Sequence, residues 1–299
     1  MSRLFGILKV VLVLAIDFVA VYSLFDDPYI ASGAVGVITL YVLFGGYLAL
    51  LKEGAVNSKK LPTYQRNRLE TAKMQLVADV KSVSGTNISG LKLYLVPGDD
   101  DMNATAYGFN CVSVTRGTFD NADPVTLNAV LGHEISHILH WDAEFNRAVF
   151  CSVTLLVAAL SVVSFAAMVC IFLIFLVLSC FRSWLGVMAF QGTTKVVGGI
   201  FSLLQRGVVV VYRSLLSLAS RHAEYRSDKY SCMLGYGVQL TQFLALAEPN
   251  SQRQLTLTEA MYRSHPPTPK RIAHIERLLL SQNATTIVNR YVPEITKWE

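Results

Sequence analysis

The sequence predicts an α+β domain, mostly helical, cut into two polar segments and fused to a transmembrane helical bundle of about four spans. Three observations carry this prediction. The 299-residue chain is 53% hydrophobic and only 16% charged, against about 25% charged in an ordinary soluble domain. The deficit is local: residues 149–219 hold no Asp or Glu, and residues 4–51 hold three. The intervening segments, 52–148 and 220–299, have the composition of soluble protein and switch between helical and strand-like periodicity. The expected organisation is a two-span hairpin at 1–51, one half of a polar domain at 52–148, two further spans at 149–219, and the second half at 220–299.

Leu4 to Phe25 and Tyr29 to Leu51 are each long enough to cross a bilayer, which takes about 20 apolar residues. Asp26-Asp27-Pro28 leaves room only for a tight turn between them. Asp17 stands inside the first span, where a charge is costly and is retained for pairing or function. Residues 149–181 form an uncharged run of about 50 Å as helix, more than a bilayer core needs. A fourth span is expected near 196–219.

In the polar segments, Leu69, Ala72, Leu76, Val80 and Val83 recur at helical spacing. Leu91 to Val96 and Thr105 to Thr115 each read as a strand. Asp123-Pro124 supplies an N-cap and a first helical residue. The helix that follows is expected to run at least to Ala148. Residues 221–247 and Pro266 to Leu280 read as further helices.

Ten Lys or Arg lie in 52–148 and ten more in 220–299, while the short turns between spans are nearly bare of them. By the positive-inside rule both polar segments and both termini face the cytoplasm. No basic run with interleaved aromatics suggests nucleic-acid binding. The five Cys are odd in number and lack CxxC spacing, which argues against a disulfide framework or a thiolate metal site.

The most specific motif is His133-Glu134-Ile135-Ser136-His137. On a helix, His at i and i+4 share a face, so both imidazoles reach one metal, and the adjacent Glu134 can take a proton from water. Two His leave such a site one protein ligand short. His140 lies at i+3 from His137 and Glu144 two turns beyond it. Glu224, with Asp228 at i+4 in the block Ser220–Asp228, is the better candidate. From the residues alone Glu224 reads equally as a ligand or as a solvated carboxylate. A structural His pair, or an idle membrane scaffold retaining a structural zinc, is the rival reading, but neither needs Glu134.

The blocks Asn103–Phe109, Leu127–Asp142, Ser220–Asp228 and Ser264–Pro267 with Arg271 and Ile272, in this order among the spans, resemble the HtpX family of membrane zinc peptidases, relatives of the CAAX prenyl endopeptidases. The resemblance implies a zincin-like fold and a gluzincin-type endopeptidase with one Zn2+ per chain, held by His133, His137 and Glu224. It implies that Asp228 supports a ligand His. It also implies a substrate-binding edge strand over about Ala106 to Val114, with Ala106, Tyr107, Gly108 and Phe109 at the peptide. Such an enzyme, in a bacterial inner membrane with its catalytic domain cytoplasmic, would cleave damaged or misfolded membrane proteins. Its partners would be protein substrates and the lipid bilayer, and the sequence does not fix an oligomeric state. His265, before Pro266-Pro267, reads either as a donor to the anionic intermediate or as a helix-start contact, and Tyr107, Tyr225 and Tyr262 are further candidate donors. The chain departs from the family pattern at Trp141, where a small residue is usual, and at Asn110-Cys111.

Overall fold

The structure is a computed structural model that describes residues 2–179, 184–247 and 266–281. Among the described residues, four helices are long and apolar enough to cross a membrane: Arg3–Phe25, Pro28–Lys52, Asp142–Val177 and Phe190–Met233. The chain divides into two compact units, Met1–Ala148 with Ser217–Glu299, and Val149–Leu216.

In the first unit, α1 (Ser2–Phe25) and α2 (Pro28–Lys52) form the expected hairpin. Asp27 caps α2 by accepting from the Tyr29 and Ile30 amides, and Pro28 occupies the first turn, where its missing N–H costs nothing. Asp17 is buried. α3 (Thr63–Ser84) buries Leu69, Ala72, Leu76 and Val80, the stripe its spacing predicts, and ends on Gly85 at φ 65°.

A four-stranded sheet follows, in the order β1 (Val56–Asn57), β2 (Lys92–Val96), β4 (Cys111–Thr115), β3 (Ala104–Gly108). β2 and β4 are parallel, and the two outer pairings are antiparallel. The single strand expected over Thr105–Thr115 is therefore two strands of a hairpin. Gly108, Phe109 and Asn110 all have positive φ (87°, 45° and 59°), which reverses the chain and leaves β3 at one edge of the sheet. The expected edge of Ala106 to Val114 contracts to β3, because β4 lies inside the sheet.

α4 (Arg116–Asn121) leads into α5 (Pro124–Leu139), which carries both His of the motif and is buried almost throughout. Asp123 caps α5 through the amides of Val125 and Thr126. The hydrogen bonds from Thr126 and Val125 outweigh the effect of burial and hold its carboxyl below the ordinary aspartate value. The helix expected to reach Ala148 stops at Leu139. Trp141 takes φ 58°, its amide and that of His140 close back on Ile138 and Ser136, and α6 (Asp142–Ser179) starts in a new direction. Glu144 thus lies on a different helix from His137.

α7 (Trp184–Met233) is one 50-residue helix containing both the expected fourth span and the block Ser220–Asp228. The chain breaks at Gly235 (φ 91°) before α8 (Gly237–Ala247), and α9 (Thr268–Ser281) completes the described fold. In the core, Leu69, Leu76, Leu93, Leu95, Val112, Leu131, Ile135 and Ile275 join α3, the sheet, α5 and α9. In the second unit, α6 and α7 share a Gln205–Ser161 hydrogen bond of 2.9 Å and a stacked Phe175–Phe190 pair.

Candidate active site

Two close approaches and one helical spacing position the site. Gly132, just before His133, lies where a Cβ would meet the Leu234 side chain at 3.0 Å, so α5 and the end of α7 pack with little between them. Ser231 on α7 donates to the Ala129 carbonyl of α5 at 2.9 Å. Glu224, Asp228 and Ser231 follow an i, i+4, i+7 pattern, so the face of α7 that meets α5 presents two carboxylates to His133.

Both imidazoles turn Nε2 inward, with the two Nε2 atoms 3.2 Å apart. Glu224 places Oε2 3.4 Å from the His133 Nε2 and Oε1 3.6 Å from that of His137. Ligands bound at about 2.0–2.1 Å around a tetrahedral ion sit about 3.3 Å from one another, so the donors fit one zinc-sized cation. His133, His137 and Glu224 are the metal-capable group among the described residues.

The outward nitrogens are also engaged. His133 Nδ1 lies 3.0 Å from Asp228 Oδ1, and His137 Nδ1 lies 2.9 Å from Asp142 Oδ2. A carboxylate at Nδ1 fixes the tautomer that offers Nε2 to a metal. Sequence reasoning missed Asp142, which reaches back to His137 only because the chain turns at Trp141. Asp142 also pairs with Arg226 and, at 3.7 Å, with Lys9 of α1. Arg271 lies on α9. It grips Asp228 at two points, Nε to Oδ2 at 3.0 Å and Nη2 to Oδ1 at 2.6 Å, and places Nη1 3.1 Å from Glu224. Burial opposes the charge of Arg271, but Asp228 and Glu224 hold it cationic. Burial would likewise favour neutral His133, yet Asp228 and Glu224 push it up to about 10. Without a cation the cage calls for positive charge, a demand that a divalent ion meets.

Glu134 lies beside this cage and accepts from the Ala106 amide of β3 at 2.8 Å. That bond shows that Ala106 directs its N–H away from β4, toward the cleft. The cleft has a volume of about 1180 Å³ and is bordered by Ala104, Thr105 and Ala106 beside His133, Glu134 and His137. The other expected edge residues lie elsewhere. Tyr107 packs with Leu50, Tyr94 and Cys111 and donates its hydroxyl to Glu53. Gly108 faces Glu144, and the Phe109 amide donates to Glu144 at 2.9 Å. Tyr225 packs against His274. His265 and Tyr262 lie outside the described residues.

Residues 65–279 match Peptidase family M48. The chain belongs to that family. Among its described residues it carries four helices long and apolar enough to cross a membrane. A search of solved structures returned the crystal structure of S. mikatae Ste24p, 16% identical, with a TM-score of 0.48. That alignment covers 88% of this chain and 61% of Ste24p, so the chain spans less than two thirds of that protein. No curated protein matches the chain.

Proposed function

We propose that this M48 protein is a zinc-dependent endopeptidase that cuts protein segments laid along β3. The observation that carries this reading is the convergence of two inward Nε2 atoms and the Glu224 carboxylate beside a second, separately held carboxylate, Glu134. His133, His137 and Glu224 would hold the metal, and Asp228 and Asp142 fix the two imidazoles. A zinc ion held there would supply Lewis acidity that lowers the pKa of water toward neutral.

Glu134 takes a proton from water and passes it to the leaving amine. The Ala106 amide holds one of its oxygens, which sets the carboxylate between the strand and the metal cage. As an edge strand, β3 offers outward C=O groups to an extended peptide, while its Ala104 and Ala106 amides donate to Asn103 and Glu134. His265 is proposed as a donor to the anionic intermediate.

The substrates we infer are damaged or misfolded membrane proteins, cleaved on the cytoplasmic side of a bacterial inner membrane. The charge asymmetry between polar segments and short turns supports that orientation. The test is Glu134→Gln in purified, detergent-solubilised protein. It should retain one zinc and cleave an unfolded model substrate at least 100-fold more slowly. Wild-type rates in this variant would remove Glu134 from the mechanism.

A further inference from the structure

The parts of the first unit that wall the cleft dock onto α1 and α2 at positions whose depth in a bilayer can be counted. Asp26 and Asp27 mark one end of the hairpin, and a hydrocarbon core extends about 30 Å from there. Along α1, Phe25 to Lys9 spans 16 residues and Phe25 to Gly6 spans 19, about 24 and 28 Å of helix. Along α2, Pro28 to Val42 spans 14 residues and Pro28 to Gly46 spans 18, about 21 and 27 Å. Tilt only shortens these projected depths.

The polar domain touches the hairpin at these levels. A Cβ on Gly6 would meet the His140 carbonyl oxygen at 2.5 Å, and one on Gly46 would meet the Tyr107 oxygen at 2.0 Å. Arg147 donates to the carbonyls of Val42, at 3.0 Å, and Tyr107, at 3.1 Å. Val10, Val42 and Ala148 share a small core with Trp141 and Phe145. With α1 and α2 spanning a bilayer, the α5–α6 corner and the end of β3 would lie within the outermost ~10 Å of the hydrocarbon layer or at its headgroup boundary.

The bonding there suits that depth. Irregular backbone in a bilayer persists only where protein groups satisfy it. Arg147 meets the Tyr107 carbonyl, and Glu144 meets the Phe109 amide. Lys9, within the mostly apolar α1, faces Asp142. The hairpin tip, Phe109, is 47% exposed and packs on Trp141, an aromatic pair of the kind that settles at membrane interfaces. Phe5, Lys9 and Phe145 also border the cleft that holds His133, Glu134 and His137. Lys9 reaches His137 through a single carboxylate, by steps of 3.7 and 2.9 Å, so a relay of three side chains links α1 to the metal cage.

We propose that the cleft opens at the bilayer boundary and takes substrate segments as they leave their own membrane span. An extended chain covers about 10 Å in three residues, so the bonds cut lie within roughly ten residues of the substrate's span. This inference rests on the peptidase reading above, and its test separates the two. Wild-type protein is reconstituted in vesicles with a single-span model substrate. Its one unfolded, cleavable 12-residue segment is placed either directly after the span or beyond a rigid helical spacer of about 30 Å. The adjacent segment should be cut at least 10-fold faster, while both segments, as free peptides in detergent, are cut at equal rates. Equal rates in vesicles would overturn the placement.

Cleavage of neither substrate and of neither peptide would overturn the peptidase reading. A second measurement then decides the placement alone. A fluorescent amino acid introduced at position 109 should be quenched by headgroup-level nitroxide lipid. The same probe at position 120, beyond the opposite end of β4, should not be. Equal, weak quenching at both positions would overturn the proposal without reference to activity.

Discussion

Asp142→Asn tests whether the turn at Trp141 serves the metal site. The substitution keeps the shape of the side chain but removes the charge that faces His137 Nδ1 at 2.9 Å. It also leaves Arg226 and Lys9, both paired with Asp142, as uncompensated cations beside the imidazole proposed as a metal ligand. Loss of a carboxylate partner of a ligand His typically weakens metal binding 10- to 100-fold. That corresponds to about 1.4–2.7 kcal/mol. The two residual cations oppose a divalent ion as well, so the upper half of that range is expected. Asp142 has a side chain only 12% exposed, so solvent screening reduces this effect little. The assay is competition titration of zinc against a chromophoric chelator, with thermal unfolding of the metal-free protein as a check on folding. Unchanged affinity in a folded variant would refute the reasoning, because Asp142 would then not orient His137.

Four further predictions follow from particular contacts. Asp123→Ala removes the cap of α5 and should cost about 1 kcal/mol, read as a lowered denaturation midpoint. The Asp123 value is depressed in the folded protein, so this stability is present above the unfolded aspartate value near 3.9 and lost as pH falls through the lower folded value. Zinc loading of the metal-free protein at pH 7–8 should release about one proton, because Asp228 and Glu224 hold His133 protonated there. Calorimetry in two buffers of different ionisation enthalpy measures this, and equal heats would contradict it. Arg271→Met removes the guanidinium that grips buried Asp228 at two points and should destabilise the protein by about 3–5 kcal/mol, whereas an unchanged melting temperature would show the pair to be idle. Gly46→Ala should cost about 1–3 kcal/mol by pushing α2 from the Tyr107 carbonyl, while Gly36→Ala, with nothing within 4 Å, should not.

What the sequence revealed, and what it hid, follows from the range of the signals. The span hairpin, α3 and α5 were legible because apolar spacing, Asp27-Pro28 and Asp123-Pro124 act within a few residues. The His pair was legible because one helical turn fixes its geometry. The break at Trp141 was not, because a tryptophan in the left-handed region carries none of the usual marks of a helix end, such as glycine. Asp142 was hidden for the same reason, since on a continuous helix it could not return to His137. The Gly108-Phe109-Asn110 reversal had one cue, a Gly and an Asn inside a strand-like run, which reads as a turn only once both flanks are taken as separate strands. Arg271 meets Asp228 across 43 residues, a pairing set by the packing of α9 that no local pattern encodes.

Zinc titration of wild type beside Glu224→Gln tests the central claim most directly. Gln keeps the volume of the side chain and removes the charged oxygen donors that lie 3.4 and 3.6 Å from the two imidazoles. Wild type should bind one zinc per chain, and Glu224→Gln should bind it at least 100-fold more weakly while remaining folded. A folded Glu224→Gln protein that binds one zinc as tightly as wild type would contradict the account.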